Sequence, residues 1–226
     1  MNIFKENLTS KLIQESSIII LNSGNKKNKH VLELGCGNGN ITKFLIKNQK
    51  YKNNFYCSDI SKEAVNFANK NINYSRIFFK HGSIFEPWRS ENLKFDIIIS
   101  DVSSISEPVA KKSPWYNGVV SDCNLDGLKN VKMILSEIGN YLSKDGFFLL
   151  PIISLSDVNK LKKYLREIFE EVLFTKKIYW PMPKFFNENL KTFQALIDKK
   201  IIHLDYKFGS YYAFTYTAIC SKFKNL

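Results

Sequence analysis

Val31-Leu32-Glu33-Leu34-Gly35-Cys36-Gly37-Asn38-Gly39-Asn40-Ile41 is an apolar run that stops at three glycines spaced G-x-G-x-G and resumes with a helical pattern. Glycine lets the backbone turn sharply and approach a ligand with no Cβ in the way. The stretch therefore predicts a strand entering a ligand-facing loop that opens a helix. A dinucleotide-type loop, G-x-G-x-x-G, needs glycine at position 40, where this chain has Asn40. A phosphate-binding P-loop needs Lys and then Ser or Thr after its last glycine, and neither register supplies them. Glu33 stands two positions ahead of the first glycine.

Outward from that loop, short apolar runs recur at 30–34, 54–58, 76–80, 95–100 and 146–152, with helical spacing between them at 41–48, 61–71 and 128–142. Ser61, with Ala64, Val65 and Ala68 behind it, reads as an N-capped helix start. Strands alternating with helices predict an α/β fold with a mostly parallel sheet and helices on both faces. Residues 8–21 read as a helix beside the sheet, within an N-terminal segment of residues 1–24. After position 152 the pattern changes to a helix at 157–169 and two β-rich runs, 172–179 and 211–221, which need not be parallel. Between those runs lies an insert, residues 180–209, that carries Pro181, Pro183, Phe185 and Phe186 before a helix expected at 188–199. Connections of this length are usually functional or disordered, and this one is a candidate cap on the substrate side that helps select the acceptor.

The 226 residues, 44% of them hydrophobic, suffice for one α/β domain spanning 1–226. The longest N-terminal apolar run, Ile18-Ile19-Ile20-Leu21, is too short to span a membrane and its polar flank is unlike a signal peptide. The expectation is a soluble, cytoplasmic protein without a membrane partner. Cys36, Cys57, Cys123 and Cys220 form no C-x-x-C pair and have no histidine beside them. They read as free thiols in a reducing compartment, and no metal site is expected. The formal net charge of +12 suits RNA or another anionic partner. Only Arg76, Arg89 and Arg166 are arginines, however, and the abundance of Lys, Asn and Ile reads equally well as a chain-wide compositional drift.

The G-x-G-x-G loop with Glu33 before it resembles motif I of the class I methyltransferases that use S-adenosylmethionine (SAM), and the resemblance extends over most of the chain. It implies a Rossmann-like fold with a seven-stranded sheet and an antiparallel C-terminal strand. It also implies that Gly35, Cys36, Gly37 and Gly39 face the methionine part of the cofactor and that Glu33 helps hold its ammonium group. Cys57-Ser58-Asp59-Ile60 ends the second strand about 20 residues on, where a carboxylate can accept both ribose hydroxyls. By resemblance Asp59 binds the ribose and Ile60 packs on the adenine. Lys80-His81-Gly82-Ser83-Ile84-Phe85 follows the third strand, and Ser83 with Ile84 occupies the place where the family usually has an adenine-contacting Asp. Asp59 also has a purely local reading, as a cap for the helix after it.

The fourth strand leads into Asp101-Val102-Ser103-Ser104, where many nitrogen-directed methyltransferases carry [N/D]-P-P-[Y/F]. With Gly82-Ser83-Ile84-Phe85-Glu86-Pro87 before it and Leu125-Asp126-Gly127-Leu128 after it, the chain is most similar to the HemK-type protein-glutamine methyltransferases. The likeness covers roughly Val31 to Leu150, and no counterpart of that family's separate N-terminal helical domain is expected. Only the first position of the motif survives in kind. Asp101 is thus the expected acceptor-side residue, as hydrogen-bond acceptor or base, or else a contact to the cofactor or a cap of its own loop. Trp115 and Tyr116 are candidates for the missing aromatic lid, with packing against the sheet edge as the alternative. His30, His81 and His203 are too dispersed for a triad, and His81 alone falls near the expected pocket.

Three functions fit these residues. The first is methyl transfer from SAM to a nitrogen of a protein or RNA, with Lys111 and Lys112 as candidate contacts to an RNA. The second is methylation of a small molecule enclosed by Phe185, Phe186, Trp115 and Tyr116. The third is a binding protein that kept the fold and lost catalysis, which the altered Asp101-Val102-Ser103-Ser104 stretch would suit. The oligomeric state is not encoded in any motif.

Overall fold

The computed structural model describes residues 7–116 and 122–224. The chain runs α1 (Leu8–Asn22), β1 (His30–Leu34), α2 (Asn40–Asn48), β2 (Asn54–Asp59), α3 (Lys62–Asn71), β3 (Ile77–His81), β4 (Phe95–Ser100), α4 (Glu107–Lys112), α5 (Lys129–Glu137), β5 (Leu142–Ile153) and α6 (Val158–Ile168). It continues through β6 (Phe169–Phe174), β7 (Ile178–Pro181), α7 (Lys184–Glu188), α8 (Leu190–Asp198), β8 (Asp205–Lys207) and β9 (Ser210–Phe223).

One sheet organises these elements. Its main path is β3-β2-β1-β4-β5-β9-β6, with β7 and β8 also paired to β9. The first five strands are parallel and β9 is antiparallel to β5. The seven strands of the main path and their antiparallel member are those of the expected Rossmann-like fold, and β7 and β8 are additions. Strands β1 and β4 are buried nearly end to end because helices cover both their faces. Leu32, Leu34, Ile98 and Phe148 face a cluster under α5 and α6, while Val31, Ile97, Ile99 and Leu149 face Ile13, Ile41 and Leu45 of α1 and α2. Ser61 caps α3 as its sequence suggested, accepting from Ala64 N at 3.2 Å.

The C-terminal third departs from the sequence reading. The run 172–179 is two strands, not one. Thr175 breaks it, with its backbone N–H donating to Thr217 O and its hydroxyl accepting from Thr217 N. The helix expected at 188–199 is α8, and a short helix that the sequence reading did not anticipate, α7, precedes it and meets it at Asn189. Residues 180–209 fold into strands and helices rather than a disordered loop. Phe186, Phe193, Leu196 and Ile202 build a small core of their own against Val109 and Ala110 of α4 and Ala213 of β9. Tyr212 of β9 is paired on both edges, to Pro181 of β7 and Asp205 of β8. The β8–β9 hairpin therefore stands beyond the point where β5 ends, opposite Thr215.

Candidate active site

Parallel strands bring their C-terminal ends, and the loops that follow, to one edge of the sheet. There the glycine loop is fixed by β2. Gly35 N and Cys36 N both donate to Ser58 O, at 2.9 and 3.0 Å. The Asp59 carboxylate clamps the loop further: Oδ2 accepts from Gly37 N and Oδ1 from Ser61 N, each at 2.8 Å. Asp59 is thus both a pocket residue and the tie between the glycine loop and the start of α3.

Gly39 is the N-cap of α2, in the left-handed region at φ +77°, and has no side chain with which to cap it. Glu33 does so from the neighbouring strand. Its Oε2 accepts from Thr42 N, in the first turn of α2, at 3.1 Å and from the Thr42 hydroxyl. Glu33 is 1% exposed. Burial drives its carboxyl up to about 8, with Asp101 and Asp59 adding to the effect and the Thr42 hydrogen bonds opposing it.

A cavity of about 400 Å³ opens between these loops, within the range of small-molecule sites. Glu33, Gly35, Cys36, Gly37, Asp59, Ile60, Ser83, Ile84 and Asp101 all line it. Gly39 does not belong to the lining. A Cβ there would lie 2.6 Å from Ile72 Cδ1, so that glycine is required by packing against α3. At Gly37, by contrast, a Cβ would meet nothing within 4 Å, which leaves that backbone open toward the cavity. Ile84 holds φ +49°, a rare state for a β-branched residue, and its carbonyl accepts from Ser58 Oγ at 3.1 Å.

Asp101 follows β4, with its N–H donating to Leu34 O at 3.1 Å. Its Oδ2 accepts from Ser10 Oγ of α1 at 3.2 Å. Burial raises its carboxyl to about 7 against that hydrogen bond. Ser103, two residues on, is a junction. Its carbonyl accepts from Asn130 Nδ2 at 3.1 Å, its Oγ accepts from the Cys123 thiol at 3.0 Å, and its side chain hydrogen-bonds Tyr116. Tyr116 lines the cavity. Trp115 instead packs against Trp180 and Phe185, with ring centroids 5.7 and 5.2 Å away.

The expected aromatic enclosure by Phe185, Phe186 and Trp115 is therefore not formed. Phe186 is fully buried in the core of the 180–209 segment, and only Tyr116 of the four reaches the cavity. His81 is also outside the lining, its Nε2 paired with Ile60 O at 3.1 Å. Sequence reasoning missed Thr9, Ser10, Asn130 and Thr42. The first three line the cavity and the fourth holds Glu33. None lies in a motif; a polar helix start at Asn7-Leu8-Thr9-Ser10 was the one available hint.

The charge of the lining is one-sided. Glu33, Asp59, Asp101 and Asp122 face a single lysine, Lys129, which is ion-paired with Asp122. A phosphate would be repelled from such a pocket, whereas a ligand with sulfonium and ammonium charges and a face for the open Gly37 backbone fits it. Among the described residues no group of three or more His, Cys, Asp or Glu could hold a metal ion.

Residues 25–202 match the methyltransferase-domain family. The chain belongs to that family. A Methanocaldococcus jannaschii protein named "Putative protein N5-glutamine methyltransferase" is 30% identical over 155 residues, 66% of this chain and 76% of the relative. Among solved structures, the Methanobacterium thermoautotrophicum precorrin-8w decarboxylase superposes with a TM-score of 0.54 at 14% identity, covering 92% of this chain and 89% of that one. A Lactobacillus delbrueckii ribosomal protein L11 methylase gives 0.53 at 16% identity, covering 96% and 81%. At these identities the two structures bear on the fold alone. The methyltransferase uses SAM as its methyl donor, in keeping with family and pocket together. None of its described helices is long and apolar enough to cross a membrane.

Proposed function

We propose that this methyltransferase transfers a methyl group from SAM to a nitrogen of a protein or RNA acceptor, with Asp101 at the acceptor nitrogen. The observation that carries the reading is the Asp101 carboxyl: half-buried, opening on the cavity, and close to half-ionised at neutral pH. Such a group accepts a hydrogen bond from an N–H and takes up the proton that a nitrogen sheds on alkylation. Bound SAM supplies an electrophilic methyl group on a sulfonium. The protein's part is alignment, since an in-line displacement gains most from holding the two reacting atoms together. Ser10 orients Asp101, and Tyr116, tied to Ser103, supports the role of the aromatic that the Asp101-Val102-Ser103-Ser104 stretch lacks.

We assign the open backbone of Gly35, Cys36 and Gly37 to the methionine part of the cofactor, Asp59 to the ribose, and Ile60, Ser83 and Ile84 to the adenine. Glu33 caps α2 and, once ionised, contributes negative charge near the ammonium group. The relative named for glutamine methylation supports an amide nitrogen as acceptor. The use of Phe185, Phe186 and Trp115 in other packing weakens the small-molecule reading.

Calorimetric titration with SAM of the wild type and Asp59→Ala, followed by incubation with methyl-labelled SAM and fractionated cell extract, tests this. Micromolar binding lost in the variant, with label entering protein or RNA, is expected. Label in metabolites would overturn the macromolecular acceptor, and absence of SAM binding would overturn the cofactor site.

A further inference from the structure

On β9 the side chains alternate. Ala213 faces the core of the 180–209 segment, whereas Phe214 and Tyr216 face away from it, toward α6. Four rings form a row there, from β6 across β9 to β7. Phe174 lies 5.7 Å from Tyr216, Tyr216 lies 6.0 Å from Phe214, and Phe214 lies 5.7 Å from Tyr179, centroid to centroid. Cations sit along it: Arg166 and Lys162 at 5.8 and 5.1 Å from the Phe174 ring, Lys177 at 4.3 Å from Phe214 and Lys207 at 5.2 Å from Tyr179. Of these four, only Lys207 has an ion-pair partner among the described residues, Asp205. The others press on one another. Lys162 is pulled below its usual range by burial and then by Lys177 and Arg166. His203 is lowered by burial and by Lys177, Lys162 and Lys200, with Asp157 opposing.

The row leads to the β8–β9 hairpin, whose turn residues Phe208 and Gly209 both have positive φ, +52° and +75°. Asn-Gly fills such a turn most readily. Phe208 occupies it at a conformational cost while 97% exposed, next to Tyr206 at 65%, and Tyr179 is 46% exposed. A fold-stabilising set of cations would be expected to include its own carboxylates, and a turn chosen for stability would not hold an exposed phenylalanine.

We propose that this stripe, from α6 to the hairpin tip, binds a single-stranded polynucleotide, with its lysines on phosphates and Tyr179 and Phe208 stacked on bases. Flat, exposed rings beside unpaired cations suit bases on a charged backbone better than an acidic peptide, which offers nothing to stack. The stripe also gives the +12 net charge a location. Strand β7 lies three strand spacings from β4, about 15 Å from the strand that carries Asp101, so a strand bound there can reach the cavity mouth. The inference goes beyond the reading of Asp101, because binding is measured without methyl transfer.

The test is fluorescence anisotropy with a labelled oligouridylate of about 20 nucleotides, over a series of salt concentrations. Wild type should bind with an affinity that falls with salt. Lys162→Glu/Lys177→Glu should weaken binding at least tenfold and lower the salt slope by about two. Phe208→Ala/Tyr179→Ala should weaken it at least about fivefold with the slope unchanged. Lys47→Glu/Lys70→Glu, two exposed lysines of α2 and α3 that alter net charge equally, should change it less than threefold. No binding, or equal losses in the Lys47/Lys70 control, would overturn the stripe, as would polyglutamate competing as well as unlabelled oligouridylate. Melting temperature and SAM affinity check that each variant is folded. Oligouridylate binding without any methylated product would leave the stripe standing and fail the Asp101 reading; methyl transfer without oligouridylate binding would fail the stripe alone.

Discussion

Glu33→Gln should make this protein less sensitive to alkaline pH. Glutamine keeps the volume and can still accept from Thr42 N and the Thr42 hydroxyl, so only the ionisable group is lost. In the folded wild type the carboxyl titrates at about 8 rather than at the ordinary 4.5. The folded state therefore holds that proton more tightly than the unfolded chain does. Its contribution to stability is complete below about pH 4.5 and is lost as pH rises through about 8. At ~1.4 kcal/mol per pH unit the span corresponds to about 5 kcal/mol at most. For a chain of this size that is a melting-temperature difference of the order of 10 °C. Thermal unfolding of both proteins at pH 5, 7 and 9, without ligand, measures it. The wild type should fall away from Glu33→Gln as pH rises, and the cationic cofactor should bind the wild type more tightly at pH 8 than at pH 6 while the variant shows a shallower trend. Melting curves that run parallel from pH 5 to 9 would refute the assignment of a protonated, buried Glu33.

The glycines of the loop should separate by phenotype. Gly37→Ala, whose Cβ points into open space at φ +52°, should cost about 1 kcal/mol of stability and weaken SAM binding at least tenfold by calorimetry. Gly39→Ala, which drives a Cβ to 2.6 Å from Ile72 Cδ1, should destabilise by about 2 kcal/mol or more in urea unfolding. Asp101→Asn should lower the methylation rate by about 10²-fold or more while changing SAM affinity only a few-fold. The wild-type rate should rise with pH through about 7, where Asp101 loses its proton, and the variant should lose that inflection.

The middle of the chain could be read directly from its residues because its information is local. Strands β1 and β4 have the boundaries their apolar runs indicate, and Ser61 caps α3, since burial on both faces and a capping hydroxyl each leave a signature within a few residues. The glycine loop with Glu33 and Asp59 likewise carried the family resemblance, and nine of the ten residues that the resemblance singled out line one cavity. The C-terminal third was harder to read. Its β-rich run is divided by a single side-chain bond from Thr175 to a strand more than 40 residues away, and no period within the run records that partner. The same holds for Ser10, which reaches Asp101 across 91 residues, and for Tyr116, which turns to the cavity while its neighbour Trp115 turns to the 180–209 segment.

Charge shows the division most clearly. The sequence determines that the protein carries +12; only the fold decides that the pocket is acidic and that Lys162, Arg166, Lys177 and Lys207 line up on aromatic rings elsewhere. Composition is a sum over residues, whereas a binding surface is a field. A field depends on which side chains the sheet brings within a Debye length of one another.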